Sequence, residues 1–152
     1  MDLQAVFAAL PNYLSGAWLT LQLLVVSLAL GGAVALPLAV ARGARSRWVH
    51  GPVWAFTYVI RGTPLLVQLF LLYYGLAQFE AVRNSVFWPW LRSPTFCALA
   101  AFAINTCAYA TEILHGTLRA VPAGEVEAAR ALGMSPFTTL RRIVLPSALR
   151  RA

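Results

Sequence analysis

Long apolar runs alternate along this chain with short polar stretches in which arginine dominates. The first run covers residues 14–41, and its only polar side chains are Ser15, Thr20, Gln22, Ser27 and the Trp18 indole. At ~1.5 Å per helical residue it exceeds a hydrocarbon core of about 30 Å. The second run, 53–79, is interrupted by "RGTP" at Arg61 to Pro64. The third, 96–118, is interrupted by Asn105, Thr106, Glu112 and His115. The pattern therefore predicts three membrane-crossing helices. A cleaved signal would need a basic start and an apolar stretch of about 7–15 residues. The first run follows Asp2 with no base before it and is far longer, so it reads as a retained span.

Beyond residue 118 the pattern changes to charge and proline. Pro122 suits the first turn of a helix, and Glu125 and Glu127 follow near its positive dipole end. Gly133 is a natural stop. Ser135 and Pro136 restart the chain as N-cap and first helical residue. Phe137, Leu140 and Val144 then form one apolar stripe, and Pro146 ends the second piece. The expectation is two short helices joined at a glycine hinge. Ala128, Ala129 and Ala131 would let another surface approach closely. On pattern alone this is either a docking element or a hairpin lying on the bilayer.

Composition and charge orient this frame. The chain has 152 residues, of which 60% are hydrophobic and only 11% charged, against roughly a quarter charged in soluble domains. All twelve basic residues are arginine, and with five acids the net charge is +7. Such a balance can serve nucleic acid, but these arginines cluster beside apolar runs, which favours a membrane face and no nucleic acid. Arg42, Arg45 and Arg47 follow the first span; Arg119, Arg130, Arg141, Arg142, Arg150 and Arg151 follow the third. The intervening loop sets Glu80 against Arg83 and Arg92. The positive-inside rule puts the first loop and the C-terminal tail in the cytoplasm and the N-terminus outside. In the outer loop, Trp88 and Trp90 of "VFWPWL" suit the interfacial aromatic belt.

Polar groups at membrane depth are candidate functional residues. Counted from the nearest cytoplasmic end, Arg61 lies ~12 Å deep and Glu112 ~10 Å deep. A charge in hydrocarbon costs about 2.5–3.5 kcal/mol on insertion scales. An Arg61–Glu112 pair would offset both charges as part of a gate or path. Alternatively, Arg61 snorkels and Glu112 reaches headgroup water. Asn105 and Thr106 face a water-filled path or serve as helix–helix glue. Gly31, Gly32 and Pro37 allow close packing or a local break in the first span, and "RGTP" weakens the second at Gly62 and Pro64. Broken helices line substrate sites in transporters, although a bare kink reads equally well.

Chemistry is otherwise sparse. Cys97 and Cys107 are ten residues apart, about 15 Å along one helix, too far to bridge; they read as packing residues. His50 and His115 share no ligand spacing, so no metal site is expected. A chain without lysine cannot carry the phosphate-binding G-x-x-x-x-G-K-[ST] loop, and G-x-S-x-G is missing too. No covalent chemistry is expected.

The spelling of the charged tail narrows the class. "EAARALG" followed by "RRIVLPSALR" resembles the signature cytoplasmic loop of ABC importer permeases, matching at Glu127, Ala128, Ala129, Gly133, Ile143, Leu145 and Pro146. "GAWLTLQL", "RGTPLLVQLFLLYYG" and "NTCAYATEILHGTLRAVPAGEVEAARALG" resemble the polar amino acid branch, the histidine and lysine–arginine–ornithine systems above all. The resemblance implies an all-α integral membrane fold. Three transmembrane helices of the family's five would occupy residues 1–118, and 119–152 would form a cytoplasmic two-helix coupling loop. The last two spans are absent from this sequence. The chain thus looks C-terminally truncated, and part of the substrate path would belong to the missing portion. The implied function is a permease subunit moving polar, basic amino acids across the bacterial inner membrane. It would be no enzyme and would hold no cofactor; ATP and Mg would be bound by a partner ATPase. The implied partners are a second permease subunit, two ATPase subunits, a periplasmic amino acid binding protein and membrane lipid. The seven matched residues would couple to the ATPase, with Glu127 and Gly133 fixing the loop's shape and Ile143, Leu145 and Pro146 anchoring it. Arg61, Thr63, Asn105 and Glu112 are the candidates for a substrate path or gate. A non-transporting scaffold or small channel sharing only the docking loop is the competing reading.

Overall fold

A computed structural model describes residues 3–150, with side chains from residue 9 onward. Among these residues every regular element is helical. Helix α1 spans Leu3–Arg42, α2 Arg47–Gly62 and α3 Leu65–Phe70. The last of these runs on through a π turn at Leu71–Gly75 and a 3₁₀ turn at Leu76–Gln78. Two single-turn helices follow, α4 (Glu80–Arg83) and α5 (Trp88–Leu91), and then the long α6 (Pro94–Arg119). The tail holds α7 (Ala123–Ala131), α8 (Pro136–Thr139), a π turn at Leu140–Val144 and α9 (Leu145–Leu149).

Two helices, residues 9–42 of α1 and all of α6, are long and apolar enough to cross a membrane. A third crossing is reached if α2 and the α3 run, joined at a break, count as one span. The break falls where "RGTP" weakens the pattern, because Pro64 has no N–H and disfavours helix in the residue before it. Gly31, Gly32 and Pro37, by contrast, leave α1 unbroken.

The fully buried side chains are small. On α1, Ser27, Gly31, Ala35 and Ala39 recur every fourth residue and are all buried. On α6, Cys97, Ala101, Ala108 and Thr111 are at most 1% exposed. Helices in lipid gain little from hiding one apolar side chain rather than another, so they associate by close backbone approach across small residues. Large side chains such as Leu14, Val25 and Tyr58 point outward, the reverse of a water-soluble core. Both cysteines are buried and unbridged; Cys97 donates its thiol to the Leu91 carbonyl at 3.1 Å. The chain divides into two compact units. One holds residues 1–31 and 63–106, the other 32–62 and 107–152.

Candidate functional site

The charged tail lies in the second unit and folds as two helical pieces about a glycine. Helix α7 begins just after Pro122, which takes the cap position, and Glu125 sits in its first turn. At its other end Gly133 has φ +74°. Its N–H donates to the Arg130 carbonyl at 2.9 Å, and the Met134 N–H to the Ala129 carbonyl at 3.1 Å. These two bonds close a Schellman motif, whose left-handed residue is easiest for glycine. Ser135 then caps α8, its Oγ accepting the Thr138 N–H at 3.3 Å, with Pro136 in the first turn.

One expectation fails here. Pro146 does not end the second piece; helix continues through it to Leu149. The preceding π turn, closed by the Leu145 N–H on the Leu140 carbonyl, widens the backbone where a proline ring would clash. Pro146 then falls in the first turn of α9, where a missing N–H is tolerated. The predicted apolar stripe holds only in part: Leu140 and Val144 are half-buried, while Phe137 is 71% exposed.

Glu127, Ala128, Gly133 and Pro146 are exposed, Ile143 and Leu145 half-buried, and Ala129 buried. Helix α7 packs on α8 and the π turn. The exposed residues are thus presented by a fixed scaffold. The Thr139 hydroxyl is buried with no hydrogen-bond partner.

In the first unit, Thr63 and Asn105 are joined through a residue that sequence reasoning passed over. Gln68 is 8% exposed. Its amide donates to the Thr63 carbonyl at 3.0 Å and the Thr63 hydroxyl at 2.8 Å. The Asn105 amide donates to Gln68 Oε1 at 3.4 Å. Gln68 thereby occupies polar groups exposed by the break before Pro64. A cavity of about 240 Å³ lies in the same unit, lined by Thr20, Ser27, Asn105 and Thr106 among apolar neighbours. That is below the roughly 300–1,000 Å³ of ligand pockets. Gln68 was legible as the one amide inside the quoted "RGTPLLVQ" run.

In the second unit, Glu112 does not take Arg61 as its partner. Arg42 Nε meets Glu112 Oε1 at 2.9 Å, both side chains being less than a fifth exposed. Thr57 Oγ1 donates to the same oxygen at 2.7 Å and lies 3.1 Å from the Trp54 carbonyl. One hydroxyl proton serves one strong bond, and the shorter contact to the charged acceptor takes it. Arg61 instead stands over the Tyr109 ring, 5.3 Å from its centroid, a cation–π contact worth about 0.5–2 kcal/mol. His50 donates from Nδ1 to the Arg42 carbonyl at 2.7 Å, leaving Arg42 Nη1 beside the imidazole. Among the described residues no cluster of three or more His, Cys, Asp or Glu side chains could hold a metal ion.

Apolar spanning helices, a fractured second span and a helix pair locked at a left-handed glycine define a polytopic membrane protein with a presented charged loop. The chain belongs to the family described as binding-protein-dependent transport system inner membrane component, whose profile matches residues 31–152. It is 46% identical over 153 residues to the nopaline transport system permease protein NocM of Agrobacterium fabrum, covering all of this chain and 64% of that one. It is 48% identical over 139 residues to the histidine/lysine/arginine/ornithine transport system permease protein HisM of Escherichia coli, covering 91% and 58%. Among solved structures, an amino acid ABC transporter crystallised with histidines matches with a TM-score of 0.81 at 33% identity, over 99% of this chain and 66% of that one. The chain thus spans less than two thirds of the length of these relatives.

Proposed function

We propose that this chain is a permease subunit of an ATP-binding-cassette importer, moving polar and basic amino acids across the inner membrane. Force from a partner ATPase enters it at the α7–α8 pair. The observation that carries the reading is the locked presentation of Glu127, Ala128 and Gly133 on a Schellman-terminated helix, within a chain of this family. The substrate class is supported by relatives named for nopaline and for histidine, lysine, arginine and ornithine transport. ATP and Mg are bound by two ATPase subunits, so this chain contributes no hydrolysis. A second permease subunit completes the channel, and a periplasmic binding protein delivers the amino acid to the outer face. The N-terminus lies outside and the tail in the cytoplasm, as the arginine distribution favours. Arg61, Thr63, Asn105 and Glu112 line or brace the substrate path. Ile143 and Leu145, half-buried, anchor the coupling loop, with exposed Pro146 beside them.

The test is capture of the cognate ATPase by membranes carrying the chain. The wild type retains the ATPase and Gly133→Asp does not; equal retention removes the coupling assignment. Cysteine at position 127, in intact cells, is blocked only by a membrane-permeant reagent. Blocking by an impermeant reagent reverses the topology.

A further inference from the structure

The second unit contains another cavity, of about 470 Å³, that none of the residues assigned to coupling lines. Arg42, His50, Glu112, His115 and Arg119 face it, with the turn at Gly43 and Ala44 along one side. Two arginines against one carboxylate leave its lining net positive. Glu112 is already occupied, its Oε1 taking both Arg42 and Thr57. Arg119 is exposed, and among the described residues no ion pair or hydrogen bond holds its guanidinium.

The surroundings state what kind of anion fits. Arg42 and Arg119 are the last residues of α1 and α6, the two helices apolar enough to span a bilayer. The cavity therefore opens at the level where hydrocarbon gives way to headgroups. The turn leaving it carries Arg45, and α2 opens with Arg47 and Trp48; all three are exposed, Trp48 at 91%. A tryptophan so bare between cationic neighbours suits the headgroup layer, where its ring is half apolar and its N–H is solvated. Basic pockets between membrane helices take anionic headgroups, and a planar guanidinium can grip phosphate through two parallel N–H bonds.

We propose that this cavity seats the headgroup phosphate of an anionic phospholipid. Arg119 is its principal ligand, and Arg45 and Arg47 supply the surrounding field. The lipid closes over the Arg42–Glu112 pair and keeps bulk water from it. The site needs only a bilayer edge, so it stands or falls independently of the importer reading.

The experiment is native mass spectrometry of the delipidated full chain, titrated with phosphatidylglycerol, phosphatidylcholine or inorganic phosphate. Wild type retains phosphatidylglycerol in preference to phosphatidylcholine, and millimolar phosphate does not displace it. Arg119→Gln weakens retention about fivefold, the effect of one arginine near an anionic surface, and Arg119→Lys recovers part of it. Arg83→Gln, which removes an exposed arginine from α4, changes nothing. Equal retention of the two lipids, an equal loss in Arg83→Gln, or full displacement by free phosphate would each overturn the proposal. Should Arg119→Gln fail to fold, the wild-type preference between the two lipids decides the matter.

Discussion

Glu112 offers the sharpest test of how the second unit is held together. Its Oε1 accepts from Arg42 at 2.9 Å and from Thr57 at 2.7 Å. Thr57 is 2% exposed, and the two charged side chains 14% and 19%. Replacing Glu112 by Leu strands the Arg42 guanidinium beside a buried hydroxyl. Breaking a fully buried pair costs about 3–5 kcal/mol, and the partial exposure here argues for about 2–3. Arg42→Met strands the carboxylate and should cost a similar amount. The double variant removes both charges together, and an apolar replacement of a whole pair is often near neutral. Two single costs of about 2–3 kcal/mol each against a near-neutral double give a coupling energy of roughly 4–6 kcal/mol in a double-mutant cycle. The parallel cycle with Arg61→Met should be additive within about 0.5 kcal/mol, since Arg61 rests on Tyr109 rather than on the carboxylate. The assay is equilibrium unfolding of the full chain in mixed micelles of rising dodecyl sulfate fraction. Additive behaviour in the Arg42 cycle, or strong coupling in the Arg61 cycle, would refute the assignment of Glu112 to Arg42.

Other consequences are checked in the same assay or by proteolysis of the tail. Gly133→Ala should cost about 1–2 kcal/mol locally, wholly from φ +74°, because a Cβ there meets nothing within 4 Å. Gly116→Ala, with equal room and no positive φ, should be neutral or stabilising. Thr139→Val should hold or raise stability by up to about 1 kcal/mol, since it deletes a buried hydroxyl that has no partner among the described residues; a loss would show that the hydroxyl is satisfied in solution. Gln68→Leu should cost about 1–3 kcal/mol by removing its bonds to Thr63 and Asn105, and wild-type stability in that variant would remove Gln68 as the brace of the broken helix.

What the sequence makes legible here follows from one-dimensional physics. Apolar length against bilayer thickness finds α1 and α6, and their ends fall within a few residues of the predicted runs except where α1 extends back to Leu3. Glycine and proline mark the break after Gly62 and the hinge at Gly133 because both act through local dihedrals. The Ser135 cap is legible for the same reason. Pro146 misleads, since its usual effect presumes an undisturbed α-helix and the π turn before it removes that premise. No local signal announces this π turn, which packs against α7.

Partner choice at membrane depth is the harder case, and register explains it. Distance from the span end places Arg61 and Glu112 at one depth, but the contacts fix a finer scale. Thr57 meets Glu112, and Arg61 meets Tyr109. Four residues forward on α2 match three residues back on α6, so the two helices run antiparallel with one contact per turn. Arg61 accordingly sits a turn beyond Glu112, about 6 Å along the axis, where an aromatic face rather than a carboxylate awaits it. The vacancy beside Glu112 is filled by the last residue of α1, whose arginine reaches it from the helix end. Depth counting cannot find that partner, because Arg42 belongs by sequence to the boundary loop and only its side chain enters the helix layer. A charged residue at the end of a span is therefore as strong a candidate partner for an intramembrane carboxylate as one written inside a span. In this chain that partner also leaves Arg61 free of the ion pair, so reversal of the Arg61 charge should disturb Tyr109 packing without displacing Glu112 from Arg42.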